Sequence, residues 1–197
     1  HFDEIIYQKL EQKNIQSKYL TLHVGAGTFK PVSTENAIDH LMHEEYIIYS
    51  KDFIETLLSH KDPVIGVGTT SLRSLESLYW YGVGLKKGLL DHFQIEQYFP
   101  YNLGDNQISV EESLCETLNW MNEKRLETLE GNSSIYIVPG YTPRIVKGIV
   151  TNFHQPQSTL LLLIAALVGN DWKTIYQEAL ENDYRFLSYG DSSLLLF

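Results

Sequence analysis

Short β-rich runs that stop on glycine or proline and pass into helical patterns recur along this chain. That alternation constrains the fold more than any single motif. Pro63 opens the run Val64 to Val67, and Gly68 hands it to a helical pattern from about Thr70 to Tyr81, which Gly82 ends. Lys18 to Val24 alternates, with Leu20, Leu22 and Val24 on one face and Tyr19, Thr21 and His23 on the other, until Gly25-Ala26-Gly27-Thr28 breaks it. Ile135 to Val138 reads as a strand closed by Pro139-Gly140, and Arg144 to Asn152 as another. Ser158 then caps an apolar helix that Gly169 stops. Further helices are expected from Asp3 to Lys13, from Asp52 to His60, after the capping box at Ser109 to Glu112, and from Asp171 to about Asn182. Gly131-Asn132 reads as a turn, and Gly84 to Asn106 as a loop-rich aromatic stretch. Such alternation predicts an α/β fold with a largely parallel sheet.

The 197 residues suffice for one domain with its own core. The single cysteine, Cys115, excludes an internal disulfide and points to a reducing compartment; its place beside Leu114 and Leu118 predicts a core or near-core thiol. The longest apolar run, Leu160 to Val168, has nine residues, where a membrane-spanning helix needs about twenty. A cytoplasmic protein with no membrane contact is expected. The formal net charge of -10 argues against loose electrostatic binding of nucleic acid, which relies on clustered Lys and Arg, but leaves room for a specific RNA partner gripped by a few arginines. The chain opens at His1 without a methionine, which reads as a piece of something longer.

Polar residues gather at four junctions. In His23-Val24-Gly25-Ala26-Gly27-Thr28, two glycines let backbone N–H groups approach an anion closely, although Pro31 prevents a helix from opening there. In Gly68-Thr69-Thr70-Ser71-Leu72-Arg73, a strand leads into three hydroxyl residues at a helix start. The helix dipole disfavours Arg73 in that first turn, so a ligand carboxylate or phosphate, or a surface pairing with Glu76 or Asp91, must account for it. Thr151-Asn152-Phe153-His154 delivers Asn152 and His154 at a strand end, where open α/β sheets bind ligands; His154 suits a proton shuttle, a base-edge hydrogen bond or a structural role. The fourth comprises His40, His43, Glu44, Glu45 and Tyr46 with the tail Tyr184 to Asp191. Its histidines invite a metal reading, but the His-Glu-x-x-His helix is missing and no metal is expected.

These junctions occur in one order: Leu22-His23-Val24-Gly25-Ala26-Gly27-Thr28-Phe29-Lys30-Pro31, Met42-His43-Glu44-Glu45, Val67 to Ser77, Pro139-Gly140-Tyr141, Thr151 to His154 with Ser158 to Leu161, and Tyr184-Arg185-Phe186 with Ser188 to Asp191. In that order they closely resemble the S-adenosylmethionine:tRNA ribosyltransferase-isomerases of the queuosine pathway. The resemblance implies an α/β core, with a largely parallel sheet or partial barrel flanked by helices. It also implies that residues 1–197 form the C-terminal part of that core, with an elaborated arm at about 83–132. The family's N-terminal part and inserted β-barrel domain would lie outside the chain.

The resemblance implies an activity as well. The ribosyl group of S-adenosylmethionine, used as substrate, moves onto an aminomethyl-deazaguanine in tRNA and is isomerised to an epoxycyclopentanediol, with loss of adenine and methionine. The partners would be precursor-bearing tRNA and S-adenosylmethionine, with a monomer expected. His23, His43, Glu45 and His154 are the candidate bases, and Asp191 or a histidine the candidate proton donor for adenine. Gly25, Gly27, Thr28, Thr69, Thr70, Ser71, Arg73 and Asn152 would bind substrate, while Tyr141 and Tyr189 would stack on a base. The chain departs from the family pattern at Lys147, at Gln155 and Gln157, where a basic group is lost, at Pro143 and at Ser192-Ser193. A nucleotide- or RNA-binding paralogue without turnover is the second reading. A metal-dependent hydrolase using His40, His43, Glu45 and His154 is the third.

Overall fold

The computed structural model describes residues 2–23, 25, 40–104 and 107–197. Two small sheets share one long helix. The first sheet has the strand order β1 (Thr21–His23), β2 (Glu45–Ser50), β5 (Thr128–Ser133) and β4 (Phe93–Ile95); the second has β3 (Val64–Val67), β6 (Val146–Asn152) and β7 (Ser192–Leu196). The expected α/β class holds, with helices flanking the sheets. The pairing, however, is mixed rather than largely parallel: β3–β6 and β4–β5 run parallel, whereas β1–β2, β2–β5 and β6–β7 are antiparallel. The antiparallel share comes from β2, which starts within the polar cluster at Glu45, and from β7, which forms in the C-terminal tail. The β-rich signal of β2 was there in Tyr46-Ile47-Ile48-Tyr49, whose alternate members Ile47 and Tyr49 are buried.

Helix starts follow the sequence closely. Asp3 caps α1 (Glu4–Gln12) by accepting from the Ile6 N–H. Ser50 caps α2 (Lys51–Ser59), and Ser109 and Glu112 close the expected box on α5 (Val110–Lys124). Ser158 caps α6 (Thr159–Val168); a short 3-10 turn then leads into α7 (Trp172–Glu181), where Asp171 makes no side-chain cap bond. A single-turn helix, α4 (Phe99–Asn102), and β4 occupy the stretch read as loop-rich.

The central element is α3 (Thr69–Lys86), which runs past the expected stop at Gly82. A Cβ on Gly82 would lie 2.1 Å from the Ser113 carbonyl oxygen, so this glycine exists for the close approach of α3 to α5 and not for a cap. The same reason removes the expected turn at Gly131-Asn132. Gly131 lies inside β5, where a Cβ would meet the Phe93 carbonyl at 1.9 Å. Ile135 to Val138, expected as a strand, lies outside the regular ladders, with Ile135, Tyr136 and Ile137 buried.

Because α3 is buried from Leu72 to Gly84, its polar residues must find partners inside the protein. Ser77 Oγ donates to the Arg73 carbonyl at 2.8 Å and meets Ser133 Oγ of β5 at 2.7 Å; Tyr49 Oη of β2 donates to the Ser74 carbonyl at 2.6 Å. Glu76 reaches the other sheet. Its carboxylate accepts from the Tyr141 hydroxyl at 2.6 Å and from the N–H groups of Arg144, Ile145 and Val146 at 2.8, 3.0 and 3.0 Å, where β6 begins. Burial pushes the Glu76 carboxyl above the ordinary value, and these donors oppose the shift. Thus α3 is hydrogen-bonded to both sheets, and its first turn is fixed relative to each.

Candidate functional site

The parallel pair β3–β6 brings two of the sequence junctions to one end of the second sheet. Val67 stands opposite Val150, and the Gly68 N–H donates to the Val150 carbonyl at 2.8 Å. The start of α3 therefore lies beside Thr151 and Asn152, at the carboxyl ends of adjacent parallel strands. Gly68 makes the handover with φ of 91°, a value that suits glycine.

The first sheet adds a third group. His23 ends β1 opposite Tyr46, the second residue of β2, and their rings pack edge-on at 5.7 Å. Glu45, the first residue of β2, is 1 % exposed and accepts a hydrogen bond from Thr70 Oγ1 at 3.1 Å. Arg73 Nη1 lies 3.4 Å from Glu45 Oε2, and Arg73 Nε donates to the Ile135 carbonyl at 3.1 Å. Arg73 is only 4 % exposed, so it is not a surface arginine, and among the described residues its ion pair is with Glu45 rather than with Glu76 or Asp91. Its helix-dipole penalty is met by Glu45, a carboxylate from a strand that the sequence did not reveal. Burial pulls the Arg73 pKa below the ordinary arginine value, while Glu45 supports the charge.

His43 completes this cluster. Its Nε2 lies 3.4 Å from Glu45 Oε1. Burial, with Arg73 second, pushes the imidazole below its ordinary value, and Glu45 opposes them; the net direction favours the neutral ring. Two buried nitrogens here, His43 Nε2 and Arg73 Nη2, have no well-formed hydrogen bond among the described residues. Buried polar nitrogens without a well-formed hydrogen bond are rare in folded proteins, and a polar ligand would suit these two.

The remaining candidates separate into different environments. Gly25 is exposed, whereas Gly27 and Thr28 lie outside the described residues. Thr69 is buried and Ser71 half-buried in the first turn of α3. His154 is buried with its Nε2 2.9 Å from Thr151 Oγ1, and burial lowers its pKa to about 4. Its backbone N–H donates to the Tyr176 hydroxyl, and the neighbouring Phe153 packs against Tyr176, Tyr184 and Phe186. Asn152 is spent on the tail, donating to the Gly190 and Asp191 carbonyls and to Ser192 Oγ. Asp191 closes the loop 185–191 by accepting from Arg185 N at 2.8 Å and Arg185 Nη2 at 2.9 Å; the Arg185 hydrogen bonds hold its carboxyl below the ordinary range, which disfavours it as a proton donor. Tyr189 stands on that loop, 90 % exposed. Tyr141 is in the core instead, 6 % exposed, its hydroxyl donating to Glu76 and accepting from Trp80 Nε1, so its ring does not offer a stacking face.

Comparison with known proteins agrees with the ordered motifs. The family model described as "Queuosine biosynthesis protein" matches residues 1–195. The chain belongs to this queuosine biosynthesis family. Within the family, it is 36 % identical over 200 residues to the S-adenosylmethionine:tRNA ribosyltransferase-isomerase of Legionella pneumophila (strain Lens), a match that covers all of this chain and 47 % of that protein. The protein of the same name from Halothermothrix orenii gives the same identity and the same shares. A solved structure of the S-adenosylmethionine tRNA ribosyltransferase from Thermotoga maritima superposes with a TM-score of 0.61 at 26 % identity, covering 99 % of this chain and 50 % of that one. The chain thus spans about half the length of the queuosine-family relatives it matches. Among the described residues, no helix is long and apolar enough to cross a membrane, and no group of three or more His, Cys, Asp or Glu is placed to hold a metal ion.

Proposed function

We propose that the intact protein transfers the ribosyl group of S-adenosylmethionine to an aminomethyl-deazaguanine in tRNA and isomerises it, releasing adenine and methionine, in the cytoplasm and as a monomer. In this reading residues 1–197 are the C-terminal part of the family's α/β core domain. The observation that carries it is the meeting of His43, Glu45, Thr70 and Arg73 at the start of α3, where His43 Nε2 and Arg73 Nη2 make no well-formed hydrogen bond among the described residues. A sulfonium acidifies the ribose carbon next to it, so a positioned base can begin the rearrangement. Glu45 and His43 lie together and are the candidates for that base. Arg73 Nη2 and the hydroxyl-rich first turn of α3 suit the methionine carboxylate, by charge-assisted hydrogen bonding and by the helix dipole. Tyr189, exposed on its clasped loop, suits stacking on a tRNA base.

The test is to incubate the full-length protein with S-adenosylmethionine and precursor-bearing tRNA and to measure free adenine and methionine. Both products should appear, and Glu45→Gln should lower their rate of release by about a hundredfold or more. If the protein binds either substrate and yields neither product, the non-catalytic binding reading replaces this one.

A further inference from the structure

The segment from His40 to Glu44 lies outside the strands, yet it carries His43 and leads directly into Glu45. A side chain 55 residues further on holds it in place. The Met42 N–H donates to Gln97 Oε1 at 3.0 Å, and Gln97 Nε2 donates to the His40 carbonyl at 2.6 Å. One amide group thereby meets a backbone donor and a backbone acceptor on either side of Leu41, as a neighbouring strand would. Gln97 Nε2 also donates to the Tyr98 hydroxyl at 3.0 Å.

The main chain around Gln97 is itself anchored. Its carbonyl accepts from the Tyr136 N–H at 3.1 Å, and the Ile95 carbonyl accepts from the Ser134 N–H at 2.9 Å. Between those two donors lies Ile135, whose carbonyl accepts from Arg73 Nε. The stretch that follows β4 is therefore connected to both halves of the buried ion pair. It holds the segment before Glu45 through the Gln97 amide, and it holds Arg73 through the segment at Ile135.

We infer that Gln97 is a positioning residue that sets His43 and Glu45 against Arg73 for the proposed reaction. Among the described residues its amide hydrogen-bonds to none of the three side chains, and it acts through the backbone of His40 and Met42. Its role in catalysis rests on the proposed function; its hold on His43 does not. Gln94, whose Nε2 donates to Glu44 Oε1 at 2.8 Å on the surface, touches the same segment without gripping its backbone and serves as the control.

Two variants and two measurements test the inference on the full-length protein. Gln97→Met keeps the volume and removes both backbone bonds; Gln97→Glu keeps the acceptor for Met42 and loses the donor to His40. The first measurement is the NMR titration of the His43 imidazole, whose charged neighbours are Glu45, Arg73 and His40. The second is steady-state release of adenine. In Gln97→Met the titration should move up toward the ordinary histidine value as the segment opens to water. The kcat should fall about tenfold to a hundredfold while KM for S-adenosylmethionine stays within about twofold, the signature of misplaced groups rather than lost binding. Gln97→Glu should fall between, and Gln94→Met should match the parent protein. A folded Gln97→Met with unchanged titration and unchanged kcat overturns the inference; should that variant fail to fold, the same outcome in Gln97→Glu overturns it. If the parent protein releases no adenine, the proposed reaction fails, and the titration alone still decides whether Gln97 holds His43.

Discussion

Replacing Glu76 by alanine is expected to destabilise the protein severely, because its buried carboxylate is fully engaged by donors from another part of the chain. Glu76 is 0 % exposed and accepts four hydrogen bonds, three of them from consecutive backbone N–H groups at the entry to β6. Alanine would leave the buried Ile145 and Val146 donors and the part-buried Arg144 donor with no acceptor, and each unsatisfied buried group costs about 1–3 kcal/mol. Even the low end for the two buried donors gives a loss of about 2 kcal/mol, against a total stability of about 5–15 kcal/mol for a typical domain. Removing a buried carboxylate also removes its desolvation cost, which keeps the expectation near that low end. Glu76→Gln separates shape from acceptor number. Its oxygen can still serve Ile145 and Val146, while its NH2 group would face the Tyr141 hydroxyl and the Arg144 N–H, so about half the loss is expected. Urea unfolding followed by circular dichroism reads both variants, with the midpoint shifting and the slope unchanged. An alanine variant less than about 1 kcal/mol weaker than the parent would refute the claim that these bonds fasten β6 to α3.

Gly82→Ala should lower the melting temperature even though alanine is the better helix former by about 1 kcal/mol, because the new methyl would meet the Ser113 backbone and force α3 from α5; a raised melting temperature would refute this close approach. Burial lowers the folded pKa of His154 to about 4 from the ordinary 6.5, so the unfolded chain binds the extra proton between those values. Stability from this group is complete above the unfolded pKa and is lost as pH falls toward about 4, by at most about 3 kcal/mol. His154→Gln should flatten the pH dependence of the urea midpoint in that window, and an unaltered slope would show that burial of His154 is not its source.

Much of the chain was legible where the deciding interactions are local. Asp3, Ser109 with Glu112, and Ser158 cap helices through bonds three residues long, and Pro63 with Gly68 brackets β3. Glycine was misread wherever its reason lay across space, as at Gly82 and Gly131, since a missing side chain signals a turn and a close contact alike. The antiparallel strand β7 went unseen because Ser192 to Leu196 is one short run whose partner, β6, lies about 40 residues earlier.

The site divides along the same line. The residue types and their order were enough to bring His43, Glu45, Thr70 and Arg73 to notice and to place the chain in its family. The tertiary structure alone decided that Arg73 is buried against Glu45, that Tyr141 and Asn152 hold the fold together, and that Gln97 grips the backbone before His43. A lone glutamine carries no sequence signal. The physical reason is distance along the chain: caps and periodicity act within one or two helical turns, whereas the pairing of a buried charge depends on which distant strand the fold lays beside it.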